Sequence, residues 1–339
     1  MTSATTSMLV HDKEVGNIAR RRKSTVDSIE WFRPTGIRTL LVPLDGSPFA
    51  ERVLPLAVEI ARQSGAELRI VHVDSTLAQG YAHGGPPRDS LVRYYLAQLR
   101  WNKGTYIERI ANQIRNESLI RVTANLLDHS NVSAGISEAV TADVDLVVMA
   151  AHGKGPIRRW VSGSTVHELL RRLPVPMIVV GSDGSFADPA ARRVKRILVA
   201  LDGSRHAERA LGPALAVGEA AEAEFSLLRV VSLPSVLGTT SRRYPGDDLA
   251  VAPGKVRLAA ARWYLNKVAK RMPQPCLVDS RVVLNEWSIA RSIAAHAGAY
   301  GADLIAVATR KQAGRKRWRA SIVDRVVQFA RVPVLVAPA

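Results

Sequence analysis

Residues 41–52 read LVPLDGSPFAER and residues 198–209 read LVALDGSRHAER, nine identities in twelve positions at an offset of 157. A repeat of this kind limits the fold before anything else does, because both copies must close as the same unit. The same offset aligns Val175-Pro176 with Val332-Pro333, each opening a short apolar run. At an offset of 158, Ala142-Asp143-Val144-Asp145-Leu146 aligns with Gly301-Ala302-Asp303-Leu304. Matched anchors at the start, late middle and end describe two copies of one domain of about 145 residues, not a solenoid. The chain of 339 residues suits two such domains, at roughly 100–200 residues each.

Within the first copy, Thr39-Leu40-Leu41-Val42-Pro43-Leu44 is a continuous apolar run, as in a parallel strand covered on both faces. Val53, Leu54, Ala57, Val58, Ile60 and Ala61 then recur at helical spacing, predicting a helix over 48–63. A strand over Leu68 to Val73, a Gly/Pro-rich loop from Gly80 to Pro87 and a helix over 90–115 follow. Next come a strand at 119–126, a helix at 133–141 and a strand at 145–150. A helix at 164–173 and a strand at 176–181 close the copy, and the second repeats this order from Ile197 to Val336. Strands separated by single helices predict parallel βαβ units with right-handed crossovers, hence an α/β chain of two tandem Rossmann-like domains. The expected limits are a basic, flexible extension at 1–36, domains at 37–182 and 194–339, and a linker at 183–193.

Residues 1–36 hold 6 Lys/Arg and 4 Asp/Glu, residues 37–182 hold 16 and 13, and residues 183–339 hold 25 and 13. Segment charges of +2, +3 and +12 thus make up the net +17, and the excess belongs to the C-terminal half. Such a surplus attracts polyanions without choosing among them. No run reaches the roughly 18 apolar residues of a membrane-spanning helix. The N-terminus lacks a secretory pattern, and the single Cys276 excludes an internal disulfide framework or a cysteine-rich zinc site. A cytoplasmic setting is expected.

Parallel sheets bind ligands at the carboxyl ends of their strands, so motifs that follow strands matter most. Pro43-Leu44-Asp45-Gly46-Ser47 is one. Asp45 there either accepts from ribose hydroxyls or an exocyclic amine, or caps the following helix, and the two roles are compatible. The second motif runs from Met149-Ala150-Ala151-His152-Gly153-Lys154-Gly155 to Gly163-Ser164-Thr165. Its glycines allow close approach of backbone N–H groups to an anion at a helix N-terminus, with the Ser164 and Thr165 hydroxyls facing phosphate or its magnesium. The alternative is a glycine-rich connector with Ser/Thr capping. Neither G-x-x-x-x-G-K-[ST] nor G-x-G-x-x-G is present.

The post-strand DGS, the spacing G-x2-G-x9-G-[ST] and the final PVPxxVV strand together resemble the universal stress protein family, in a tandem form covering about 37–182 and 194–339. The resemblance implies a five-stranded parallel sheet per domain, with ATP and a divalent ion, Mg2+, at the strand ends. By that resemblance Pro43, Asp45 and Val73 meet ribose and adenine, and Met149 and Ala150 line the ribose and phosphate side. Gly153, Gly163, Ser164 and Thr165 bind phosphates. Ala150 departs from the motif, which has glycine there. In the second copy Asp202, Val230 and Ser321 match, but Ala308-Thr309-Arg310-Lys311 replaces the glycines and the spacing is one residue shorter. Arg310, Lys311, Arg315, Lys316, Arg317 and Arg319 stand there instead, with Trp318 among them and Trp160 in a similar place in copy one. Three readings stay open: cations replacing backbone donors around phosphate, a docking surface for another polyanion, or a solvated basic loop.

His152 has no evident nucleophile partner and reads as loop-positioning, His72 as a core residue, and Cys276 as a small buried apolar group at a strand entrance. Arg20-Arg21-Arg22-Lys23 marks the N-terminal extension as a weak polyanion binder. The expected function is ATP binding in the first domain, signalling stress to a protein partner by bound state, with slow hydrolysis at most. The alternative is a nucleotide-free module whose basic second domain binds nucleic acid or an acidic partner. The last strands, 176–181 and 333–338, are expected to pair the copies into an internal pseudo-dimer, leaving the chain a monomer or a further homodimer.

Overall fold

The structure, a computed structural model, describes residues 36–75, 90–151, 165–181, 193–219, 221–232, 254–273, 275–285, 288–309 and 321–338. All belong to one compact unit, Pro34–Ala339. Gly153, Gly163, Ser164, the cations at 310–319, His152, Trp160, Trp318 and the 80–87 loop lie outside the described residues. So do all of 1–36 except Gly36, and all of 183–193 except Arg193.

The first repeat runs β1 (Thr39–Pro43), α1 (Pro48–Glu51), α2 (Leu54–Ser64), β2 (Glu67–Asp74), α3 (Ser90–Glu117), β3 (Val122–Asp128), α4 (Val132–Ala139), β4 (Leu146–Ala150), α5 (Thr165–Arg172) and β5 (Met177–Val180). The second runs β6 (Arg196–Ala200), a 3-10 turn (Ala207–Ala210), α6 (Leu211–Glu219), β7 (Glu224–Ser232), α7 (Gly254–Ala269), β8 (Val278–Asn285), α8 (Ile289–Tyr300), β9 (Leu304–Ala308), α9 (Ile322–Phe329) and β10 (Val334–Ala337).

Two boundaries differ from the sequence reading by more than two residues. The helix expected over 48–63 is two, parted at Arg52–Val53. Pro55 lacks an N–H and its ring would strike the carbonyl four residues back, so an unbroken helix cannot pass. The strand expected at 119–126 begins at Val122 and runs to Asp128. Four residues are needed to turn from α3 into the sheet, and Leu119 is left 107% exposed there.

The strand order is β3-β2-β1-β4-β5-β10-β9-β6-β7-β8, one ten-stranded sheet. Pairing is parallel within each repeat and antiparallel where Val179, Ile178 and Met177 face Val334, Leu335 and Val336. Each repeat thus covers the edge that the other would leave open, and unpaired edges invite aggregation. The matched aspartates Asp145 and Asp303 explain one anchor of the repeat. Asp145 Oδ2 accepts from the Arg38 and Thr39 amides at 2.8 and 3.1 Å, and Asp303 Oδ2 from those of Lys195 and Arg196 at 2.9 Å each. Both pin the start of a central strand to its neighbour.

Alternation along the strands sorts side chains to two faces. Leu41, Val71, Val147, Met177 and Val179 join Ile136, Val166 and Leu169 of α4 and α5 in one buried cluster. That cluster continues through Leu198, Ile305, Val334 and Val336 to Ile293, Val323 and Val326 of α8 and α9, so it crosses the boundary between repeats. Against β1, β2 and β3 pack α2 and α3; α7 covers β7 and β8.

Candidate functional site

From β1 the chain leads to β2 and β3 on one side and, through β4, to β5 on the other. The order therefore reverses between β1 and β4, and a crevice at the carboxyl ends of these strands is where such sheets take ligands. Pro43 ends β1, Met149 and Ala150 end β4, and Val73 lies near the end of β2. Because β4 and β5 are parallel, α5 returns antiparallel to them, and Thr165 at its start lies on the same side of the sheet. The described members of the expected first-repeat site are thereby brought to one end of three adjacent strands.

Asp45 is held in place by Ser47. Its Oδ1 accepts from the Ser47 amide at 2.9 Å and from the Ser47 hydroxyl at 2.6 Å. Gly46 between them has φ +79°, a conformation that suits glycine. Ser47, not Asp45, caps α1, accepting from the Ala50 amide at 3.1 Å. Asp45 is half-buried, as are Pro43, Val73 and Thr165, while Met149 and Ala150 are buried. The site so defined is a fixed carboxylate between apolar walls. Val73 is fixed too: a Cβ on Gly135 of α4 would stand 2.9 Å from its Cγ1, so only glycine lets the helix lie this close.

Beneath the site is a polar layer that sequence reading missed. Tyr106 donates to Glu51 Oε1 at 2.8 Å, and burial, followed by the Glu51 carboxylate, pushes its phenol well above the usual range. Lys103 donates at 2.5 Å to Asp74, which is 1% exposed. Arg100 pairs with Asp128 beside them. A trace was available in the repeat itself, since Glu208 and Tyr264 form the equivalent bond at 3.0 Å. His72 is buried, edge-on to the Tyr106 ring at 6.4 Å. Cys276 differs from expectation: it is only half-buried, because the strand starts two residues later at Val278.

In the second repeat Asp202 makes the same turn, accepting from the Ser204 amide and hydroxyl at 2.9 and 2.6 Å across Gly203, φ +89°. Val230 is half-buried, as Val73 is. The surroundings differ. Where the first repeat has His72, Arg229 lays its guanidinium against Gly203, with Cζ 2.8 Å from where a Cβ would be, and 5.3 Å over the Tyr264 ring. Ser321 caps α9 in a closed box: its hydroxyl accepts from the Asp324 amide at 3.1 Å, and its own amide donates to Asp324 Oδ2 at 2.7 Å. A carboxylate thus already answers donors at that helix N-terminus. Asp324 Oδ1 also meets Nδ1 of His167, its equivalent on α5, at 3.2 Å across the junction of the repeats.

Among the described residues no cluster of three or more His, Cys, Asp or Glu side chains could hold a metal ion, and no helix is long and apolar enough to cross a membrane. An open groove of about 1140 Å³ runs along α3 past Arg100, Trp101, Arg109 and Leu126, and none of the expected nucleotide-site residues lines it.

Comparison with known proteins gives these features a family. The sequence model of the universal stress protein family matches residues 36–181 and 193–338. A universal stress protein of Mycobacterium tuberculosis H37Rv is 28% identical over 200 residues, 58% of this chain and 63% of that protein, so the match spans less than two thirds of the relative's length. One from Thermus aquaticus is 26% identical over 148 residues, 42% of this chain and 98% of its own. Among solved structures, a universal stress protein from Archaeoglobus fulgidus has a TM-score of 0.63 at 17% identity, covering 88% of this chain and 98% of that one. A putative one from Pseudomonas aeruginosa scores 0.58 at 17%, covering 89% and 93%. These two likenesses speak for the fold alone. With the family's sequence pattern matched over both halves, the chain belongs to the universal stress protein family, in tandem form.

Proposed function

We propose that the first repeat binds ATP, and that this cytoplasmic protein serves stress response or signalling through its nucleotide-bound state and not through turnover. The observation that carries the reading is the Asp45 carboxylate, fixed by Ser47 at the point where the strand order reverses. Such an acceptor suits ribose hydroxyls, and charge-assisted bonds of this kind contribute about 1.5–3 kcal/mol. In this reading Pro43 and Val73 meet base and ribose, and Met149 and Ala150 floor the ribose and phosphate side. The phosphates go to Gly153, Gly163, Ser164 and Thr165, helped by the positive N-terminal end of α5.

The donor set also bears on magnesium. With no carboxylate cluster among the described residues, the ion would be held mainly by phosphate oxygens and water, which is how Mg2+ commonly binds nucleotides. The domains proposed are 37–182 and 194–339, joined by 183–193 after a basic extension at 1–36. Asp202, Val230 and Ser321 form a second site in outline only, because Arg229 and Asp324 change its charge and shape. One nucleotide per chain follows.

Calorimetric titration of the full chain with Mg·ATP tests the reading. Thr165→Asp places a carboxylate on the first residue of α5, which favours the helix but repels phosphate. The expected result is lost ATP binding with an unchanged melting temperature; native affinity in this variant would refute the proposal.

A further inference from the structure

We infer that the exposed face of α7, in the second repeat, is a docking surface for single-stranded nucleic acid. Residues 254–273 carry Lys255, Arg257, Arg262, Lys267, Lys270 and Arg271 and no Asp or Glu. Arg257 is buried and Arg271 turns to Glu208 at 3.7 Å. The other four fall with Trp263 and Asn266 in one sector of roughly 140° at 3.6 residues per turn. Ala261, Leu265 and Val268 occupy the opposite side and are buried. Lys255, Arg262 and Lys270 are exposed, and among the described residues no carboxylate pairs with any of the four cations. From Lys255 to Lys270 the stripe runs about 22 Å, room for a short row of phosphates.

The equivalent helix of the first repeat shows that this is not the default. On α3, Arg100 pairs with Asp128, Lys103 with Asp74 and Arg115 with Glu108. The second repeat has the equivalent helix without these three pairs.

Trp263 selects the partner. Its side chain is 66% exposed with Lys267 Nζ 5.4 Å over the ring, an indole and a cation offered together. Single strands are gripped by stacking of bases on such rings beside backbone-tracking cations, whereas duplex bases are already stacked. A membrane surface fits poorly. The apolar side of α7 faces the sheet, leaving too little to insert, and interfacial helices need a wide apolar face. This face is distinct from the Asp45 site, so the inference stands or falls independently of ATP binding.

Fluorescence anisotropy of the full chain with a short labelled deoxythymidine strand, over a salt series, provides the test. Binding should weaken steeply with salt. Joint replacement Arg262→Gln, Lys267→Gln and Lys270→Gln should lower the log–log slope by about 2, at roughly 0.7 per phosphate contact, and weaken binding at least about tenfold. Trp263→Ala should cost about tenfold on the single strand and leave duplex binding of the same length unchanged. All these side chains are at the surface, so unchanged melting temperatures and ATP stoichiometry are expected alongside. The inference is overturned if native protein ignores the strand at low salt, or if the triple variant keeps native affinity and slope. It also fails if phosphatidylserine vesicles bind more tightly than the strand and lose that binding to the same replacements.

Discussion

After β1 and after β6 the chain makes one and the same turn, Asp45 with Ser47 and Asp202 with Ser204, at matching distances. What surrounds the two turns does not match. His72 beside Tyr106 becomes Arg229 packed on Gly203 and Tyr264. The pair of buried Asp74 with Lys103 has no counterpart, since buried Val231 stands at the place of Asp74 on β7. On the last helix His167 stands where the other copy has Asp324, and the two touch. Residues that fix the backbone are common to both copies, while residues that set local charge have parted. A duplicated fold can therefore retain a site's outline in one copy and give up its chemistry.

The largest expected difference between the copies is in ligand affinity. Asp45→Asn keeps an acceptor for the Ser47 turn but removes the charge, so ATP affinity should fall about tenfold, the gap between charged and neutral hydrogen bonds. Asp202→Asn should change neither affinity nor stoichiometry. Equal losses from both, read by calorimetric titration, would dissolve the distinction between the copies.

A smaller effect concerns the two helix starts. Asp324→Ala removes the N3 half of the capping box of α9 and leaves the Ser321 amide unanswered; it should cost about 1–3 kcal/mol, seen as a lower denaturant midpoint. The residue is almost wholly buried, so no water replaces what it held. His167→Ala loses the contact across the junction, leaves the capping box in place and should cost less. A His167 effect as large as the Asp324 effect would show that the contact, not the cap, carries the energy.

The smallest effect is in acid. Arg69, with Thr141 next, holds the Asp143 carboxyl down to about 2 from an ordinary 3.8. A depressed pKa stabilises the fold above the unfolded value and loses that contribution as pH falls through the folded one. Stability should thus decline between about pH 4 and pH 2, and Asp143→Asn should flatten part of the decline. The second copy lacks this clamp: Ser226 replaces Arg69, its buried hydroxyl without a hydrogen-bond partner among the described residues. Ser226→Ala should leave the acid profile as it was.

The repeat made much of the architecture legible. Nine identities running from the first strand into the turn beyond it mark where each copy starts, and the paired apolar runs after Pro176 and Pro333 mark the strands that join them. Asp45 stood out because it follows a strand. The break at Arg52–Val53 has its mark in Pro55, but the helical spacing of Val53, Leu54 and Ala57 runs across it and hides it. Arg229 against Gly203 was not readable, since it depends on the register of β6 with β7, where Ala200 faces Leu228. Nor was His167 against Asp324, which exists only because the two copies meet about a pseudo-twofold relation set by β5 and β10.

On the proposed reading, one copy keeps a nucleotide site and the other does not. Loading the full chain with excess Mg·ATP, desalting it, and quantifying adenine nucleotide after acid extraction measures that directly. A molar ratio near one, falling to near zero in Thr165→Asp, is the predicted result. A ratio near two, or none in the native protein, contradicts it.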